Sequence, residues 1–361
     1  MSTKPDRRST LAAVGLSTRR LDAGTHVLAG FARARLTRRP FLLSHLTTGR
    51  CNARCATCLW RDERRGELDA DTVAWLYAQA ADAGISQLVV WGGEPLLRTD
   101  LAETLAAAHG HGLVVTLISN GWLLRDRWPE LRGLVDVLIL SVDDVGDAHD
   151  RLRGLPGLFE RMEGFVADTA RDPLRPLTIV NTVLSRGNVG ALRRVAPLAQ
   201  DWGAGLYFCP METGQMHAEG FDGSREELAL APDQVREAAG LARRLKSAGY
   251  PLLSTDRYLD LLGDDPTVSR YTCRAPQAIL TVEGDGAIRD CLRRETPLEN
   301  VARLRARGRT LTDLYRLPRF LAMVEQAHTC TACNNPDVVE TSWLWDLRPC
   351  MLRKSVRLAA S

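Results

Sequence analysis

From residue 41 onward, short apolar runs alternate with segments whose apolar positions recur every three to four residues. Phe41–Thr48 reads as a strand. Over Asp71–Ala83, Val73, Leu76, Tyr77 and Ala80 fall at i, i+3, i+4 and i+7, one face of a helix, and Gly84 suits the cap that closes it. Leu88–Trp91, Leu113–Ile118, Val135–Leu140, Leu177–Val183 and Gly205–Phe208 predict five more strands, with a helix near Val189–Trp202. Asp100 with Glu103 predicts a capping box ahead of another helix. Six strands alternating with helices over about 170 residues predict an α/β fold with a parallel sheet and right-handed crossovers. The strands are largely apolar, which fits burial on both faces. A partial barrel and an open doubly wound sheet both satisfy this pattern. No GxGxxG follows the first strand and no GxxxxGK[ST] occurs, which removes support for ordinary dinucleotide and P-loop sites.

After a helical connection over Pro232–Ala248 the pattern changes. Ala278–Glu283, the turn Gly284-Asp285-Gly286 and Ala287–Asp290 predict a β-hairpin. Cys273 and Cys291 flank it, and Cys330 and Cys333 follow. The expected organisation is a basic extension over 1–40, a core over 41–254, and a small α+β module over 255–361 held by metal ligands more than by a core.

Composition narrows the function classes. The chain has 361 residues, 45% hydrophobic and 25% charged, enough for a full core and roughly two domains. A net charge of +3 is too near neutral to announce a nucleic-acid partner. No apolar run reaches the ~18 residues of a membrane span, so no membrane partner is expected. The nine cysteines are odd in number and clustered, which points to metal or redox chemistry in a reducing, cytoplasmic compartment. Residues 1–40 hold nine basic and two acidic residues, so the remainder carries −4. Arg7-Arg8 before Leu11–Val14 admits an export-signal reading, but Arg19-Arg20 interrupts it. The plainer reading is a loose start leading into a basic helix over Val27–Leu36.

The chemistry lies in two sets of cysteines. Cys51, Cys55 and Cys58 sit in the loop after the first strand. A cubane [4Fe–4S] cluster normally takes four thiolates, so three local ones leave one iron open to a small molecule. Gly92-Gly93-Glu94-Pro95 ends the second strand; the glycines permit close backbone approach, and Glu94 can accept hydrogen bonds from an ammonium group. Both features lie where α/β proteins bind ligands.

CxxxCxxC after the first strand and GGEP after the second resemble the radical S-adenosylmethionine (SAM) superfamily, over about residues 41 to 345. The resemblance implies a partial (β/α)6 TIM-like barrel. It implies that Cys51, Cys55 and Cys58 hold a [4Fe–4S] cluster whose open iron binds SAM. Reductive cleavage of SAM then yields a 5′-deoxyadenosyl radical that abstracts a hydrogen atom from substrate. A flavodoxin- or ferredoxin-type protein would supply the electron. Gly92, Gly93, Glu94 and Pro95 would surround the SAM amino group, and Ser119, Asn120, Ser141 and Asn181 its ribose or carboxylate. Ser141–Gly154 is similar to the family's SLDG…HDxxRG segment, with Arg153 at the SAM carboxylate. The family usually places an aromatic before the third cysteine, beside the adenine. This chain has Thr57 there and offers Trp60 instead.

Cys273, Gly286 and Cys291 match the CX9–15GX4C signature of SPASM and twitch domains, and Cys330 and Cys333 supply the next CX2C. The resemblance implies one auxiliary [4Fe–4S] cluster on these four cysteines. A competing assignment joins Cys330, Cys333 and Cys350. Structural zinc on four thiolates is the plain alternative.

Cys209 ends the sixth strand; it reads either as a buried core thiol or as a hydrogen donor at the barrel mouth. Glu212, Gln215 and His217 follow it and suit a polar substrate or a solvated loop. His45 reads as a core histidine with a lesser chance of facing substrate, and Trp343 and Trp345 as packing. The leading expectation is an oxidoreductase that dehydrogenates a small sugar-, aminocyclitol- or nucleoside-like natural-product intermediate. No extra N-terminal domain for leader-peptide recognition is evident, which favours the small molecule. The alternatives are a peptide maturase, a redox-neutral epimerase using a thiol, and, more distantly, a non-catalytic metal-binding or electron-transfer protein.

Overall fold

The computed structural model describes residues 18–58, 60, 66–212, 226–268, 270–289, 291, 297–330 and 333–359. Strands and helices alternate as α1 (Thr18–Thr37), β1 (Leu42–Thr48), α2 (Ala70–Asp82), β2 (Gln87–Gly92), α3 (Leu101–Gly110), β3 (Val114–Ser119), α4 (Leu124–Leu131) and β4 (Val137–Ser141). They continue as α5 (Gly146–Arg153), α6 (Leu158–Thr169), β5 (Leu177–Leu184), α7 (Leu192–Asp201) and β6 (Gly205–Pro210). Then follow α8 (Pro232–Ser247), α9 (Asp256–Asp264), α10 (Ala275–Ala278), β7 (Ile279–Val282), β8 (Ala287–Arg289) and β9 (Glu299–Asn300). Five helices complete the chain: α11 (Val301–Ala306), α12 (Leu311–Leu314), α13 (Pro318–Ala327), α14 (Pro336–Trp345) and α15 (Pro349–Ala359).

One sheet runs β6-β5-β4-β3-β2-β1-β7-β8-β9. Strands β1 to β6 pair in parallel with their neighbours in chain order, the topology of right-handed crossovers, and β6 does not close onto the far edge. The fold is therefore an α/β partial barrel. The expectation of equal burial on both faces needs correction. On β2, β3 and β4, Leu88, Val90, Val115, Leu117, Leu138 and Leu140 are buried beneath the helices, while their alternates keep accessible surface. The helix face is packed; the inner face is left partly open, as a ligand-bearing barrel requires. Strand register places Ser44, Thr116, Ser141, Asn181, Tyr207 and Cys209 on that inner face. His45 points the other way: its Nδ1 meets the Tyr77 hydroxyl of α2 at 2.9 Å. It is fully buried, and burial, helped by nearby Arg98, pushes its pKa down to about 3, so it is a neutral core histidine.

Strand β7 pairs in parallel with β1, so the C-terminal module continues the barrel sheet. Its Leu280, Val282, Ile288, Leu304 and Val339 join the same apolar core as the barrel. The module thus shares an apolar core with the barrel. The hairpin forms between β7 and β8, with Gly286 at φ +83°; Asp290 lies outside the described residues. Asp100 does not cap α3; it pairs with Arg98 instead, Nη2 to Oδ2 at 2.6 Å. Helix α1 starts well before Val27, while Arg7 and Arg8 lie outside the described residues. Phe31 of α1 meets Phe41 and Trp345 edge-on, which confirms the packing role read for Trp345; Trp343 is likewise buried, beneath Arg257. No helix among the described residues is long and apolar enough to cross a membrane.

Candidate active site

The cysteine loop leaves the carboxyl end of β1 and is held against the end of β2. Gly93 N–H donates to Thr48 C=O at 2.7 Å, and Glu94 N–H to Arg50 C=O at 2.8 Å. A Cβ on Gly92 would lie 2.3 Å from the Thr48 carbonyl oxygen, and one on Gly93 would lie 2.1 Å from that of Arg50. The glycine pair therefore lets two backbones touch; in sequence it reads as an approach to ligand.

Glu94 is fully buried, behind the strand ends. Its Oε1 accepts from Leu96 N–H at 3.1 Å and from the Ser119 hydroxyl at 2.9 Å, and its Oε2 accepts from Asn120 N–H at 2.8 Å. Burial pushes its carboxyl up to about 7, and those donors oppose the shift. Ser119 and Asn120 are thus brought together with Glu94, as a brace. Asn120 also reaches the cysteine loop: its Nδ2 donates to Asn52 Oδ1 at 2.8 Å. Pro95 is buried in the turn that follows Glu94.

Cys51, Cys55 and Cys58 are half-buried and in no disulfide. Ala53 N–H lies 3.4 Å from Cys51 Sγ and Trp60 N–H 3.4 Å from Cys58 Sγ. Burial pushes the Cys51 thiol up to about 11. Arg153, expected at a ligand carboxylate, is aimed at the loop: Nη1 lies 3.9 Å from Cys55 Sγ, and Nε lies 2.8 Å from Asp143 Oδ2. Trp60 packs edge-on against Trp91, which donates to Ser44 Oγ at 2.8 Å. Ser141 and Asn181 sit side by side in register on the inner face.

A second polar group lines the β6 end. Lys354 of α15 contacts the Tyr207 hydroxyl and pairs with buried Glu340 of α14, whose other oxygen accepts from Thr255 N–H at 2.7 Å. Asp337, at the start of α14, is exposed. Partial removal from water pushes its carboxyl up to about 6, opposed by Lys354 and assisted by Glu340 and Glu212. Cys209 shares this neighbourhood. Enclosure pushes its thiol well up, with Asp337, Glu212 and Asp143 adding to the shift and Arg153 opposing it. Gln215 and His217 lie outside the described residues.

The C-terminal cysteines converge on Tyr271. Its hydroxyl is pushed far up, first by burial, then by Cys333, Cys273, Cys330 and Cys291. Cys350, like Cys330, packs against the apolar core.

The donor chemistry suits iron–sulfur clusters. Neither cysteine set forms a disulfide, and the first has amide or guanidinium N–H groups aimed at every sulfur, the outer-sphere pattern that tunes such clusters. Among the described residues, no three metal-ligating side chains converge on a single ion; thiolates on separate corners of a cubane need not. Sequence reading does not find Asn52, Asp143, Tyr271, Asp337, Glu340 or Lys354. Of these, only Asp143, within the SVDD segment, carries a motif signal.

Residues 46–187 match the radical SAM superfamily. The AdoMet-dependent heme synthase of Methanosarcina barkeri is 33% identical over 178 residues, 48% of this chain and 50% of that protein. The PqqA peptide cyclase of Ruegeria pomeroyi is 29% identical over 309 residues, 81% of this chain and 79% of the cyclase. The chain thus spans about half the length of the first relative and about four fifths of the second. Streptococcus suis SuiB, solved bound to precursor peptide SuiA, superposes with a TM-score of 0.63 at 14% identity, over 82% of this chain and 70% of SuiB, a likeness of fold.

Proposed function

We propose that this chain is a radical SAM superfamily protein that oxidatively modifies a peptide. The superfamily's [4Fe–4S] cluster and SAM, when bound, supply a 5′-deoxyadenosyl radical that removes a hydrogen atom from substrate. Cys51, Cys55 and Cys58 hold that cluster. The brace of Glu94, Ser119 and Asn120 fixes the rim against which SAM lies, with Gly92, Gly93 and Pro95 shaping it. Ser141 and Asn181 supply polar contacts on the inner face, and Trp60 with Trp91 an aromatic wall. A flavodoxin or ferredoxin delivers the electron.

The substrate enters beside β6 and α14, where Asp337 takes a proton from the substrate radical. Cys273, Cys291, Cys330 and Cys333 hold an auxiliary [4Fe–4S] cluster in the manner of SPASM and twitch domains. When bound, that cluster would supply an acceptor for the second electron, for a net loss of two hydrogens from the substrate.

The observation that carries the peptide reading is the alignment with a peptide cyclase over four fifths of both chains. It favours a peptide over the small sugar-like metabolite that the sequence alone suggests. The test is anaerobic incubation of reduced enzyme with SAM and a short peptide encoded beside its gene. Stoichiometric 5′-deoxyadenosine and a peptide lighter by two hydrogens support the reading. An unaltered peptide, with turnover elicited by an aminocyclitol instead, overturns it.

A second reading rests on Cys209, a protonated thiol on the inner face. A thiol there can return a hydrogen atom and make the net reaction an epimerisation. Solvent deuterium in the product, lost on Cys209→Ala, supports that reading, and its absence removes it.

A further inference from the structure

The three sulfurs of the cysteine loop are not equivalent. Cys51 and Cys58 face main-chain N–H dipoles, whereas Cys55 faces the full charge of a guanidinium. That guanidinium is nearly buried and fixed from behind. Arg153 Nε lies 2.8 Å from Asp143 Oδ2, with the two side chains 12% and 5% exposed. Asp143 Oδ1 in turn accepts from Val183 N–H at 2.9 Å, so the carboxylate is tied to β5. Asp143 N–H donates to His149 Nδ1 at 3.1 Å, and buried His149 adds no charge at neutral pH. The Arg153 carbonyl accepts from Arg54 N–H at 2.8 Å, inside the cysteine loop itself. Main chain and side chain of one residue thus hold both the loop and one of its sulfurs.

We propose that Arg153 is a positioning residue whose charge, clamped by Asp143, sits against the Cys55 sulfur and raises the reduction potential of the cluster held by Cys51, Cys55 and Cys58. The inference rests on the reading that these cysteines hold a cluster. Reduction adds one negative charge to the cluster, and a fixed cation in a poorly solvated site stabilises the reduced form. Asp143 opposes this from farther back, so the two charges act with opposite sign on one potential.

The test is anaerobic redox titration of the full-length, cluster-loaded protein, following the electron paramagnetic resonance signal that changes when SAM is added. That signal isolates the SAM-binding cluster from an auxiliary one. Arg153→Met shifts its midpoint to more negative values, Arg153→Lys restores part of the loss, and Asp143→Asn shifts the midpoint to less negative values. A purely structural role gives no reason for opposite signs. If Arg153→Met assembles no cluster, Asp143→Asn decides, because its amide oxygen still accepts from Val183. An unchanged or reversed midpoint in the deciding variant overturns the proposal while leaving the cluster assignment intact. A wild type with no SAM-responsive signal overturns both.

Discussion

The main-chain N–H of Arg54 donates to the carbonyl of Arg153 at 2.8 Å, bonding the cysteine loop to the last residue of α5. Gly154 follows at φ +58°, and a Cβ there would lie 2.9 Å from both Cβ and the carbonyl oxygen of Arg54. The loop is therefore clamped twice, by the glycine end of β2 and by the glycine after α5. Neither clamp tolerates a side chain without moving backbone.

Substitution at these glycines should disturb the loop before the barrel. Gly93→Ala sets a methyl group against the Arg50 carbonyl, an overpacking cost of ~3 kcal/mol if the backbone cannot yield. Gly110→Ala, where nothing lies within 4 Å, serves as the control. Denaturant unfolding with iron analysis should show lower stability and iron content in Gly93→Ala alone. Equal behaviour of the two variants would refute the clamp.

Glu94 should make stability fall with rising pH. Its folded pKa of about 7 stands above the ordinary 4.5, so the folded state holds its proton more tightly than the unfolded chain. The associated stability is fully present below pH 4.5 and is lost as pH rises through 7, amounting to ~3 kcal/mol. Unfolding free energies of wild type and Glu94→Gln across this window should converge or diverge by that amount. Parallel curves would show that Glu94 titrates normally.

The alternation of strands and helices is legible in the sequence because each helix repeats its apolar positions and each strand is a short apolar run. The cysteine spacing is legible because the proposed cluster ligands Cys51, Cys55 and Cys58 lie within one loop. What is not legible depends on contacts between distant segments. Arg153 and Cys55 are 98 residues apart, and no local pattern says that a guanidinium will face a sulfur. The bracing of Glu94 is hidden for the same reason: its partners Ser119 and Asn120 arrive from the next strand. Burial of the inner face is overestimated because apolar strand composition does not reveal whether a barrel closes.

The auxiliary assignment separates Cys333 from Cys350. Cys333→Ala should lower iron by about four atoms per chain, and Cys350→Ala should leave it unchanged. Metal analysis by mass spectrometry checks both. Equal iron loss in the two variants favours the competing ligand set, and loss of one zinc in place of iron points to a structural zinc site.

Cys209 should resist alkylation. Its thiol is held well above the ordinary range by enclosure and by Asp337, Glu212 and Asp143, so little thiolate exists at pH 8. Peptide mapping after iodoacetamide treatment of folded, cluster-loaded protein should find Cys209 unmodified, and unfolded protein should label it readily. Rapid labelling of the folded form would place a reactive thiolate at the barrel mouth.

The most direct test of the central claim compares wild type with a Cys51/Cys55/Cys58→Ala triple variant, both reconstituted anaerobically and reduced with dithionite in the presence of SAM. The account expects the wild type to release 5′-deoxyadenosine and the variant to release none, while the variant keeps about four irons on its C-terminal cysteines. Equal 5′-deoxyadenosine from both proteins, or none from an iron-loaded wild type, would contradict it.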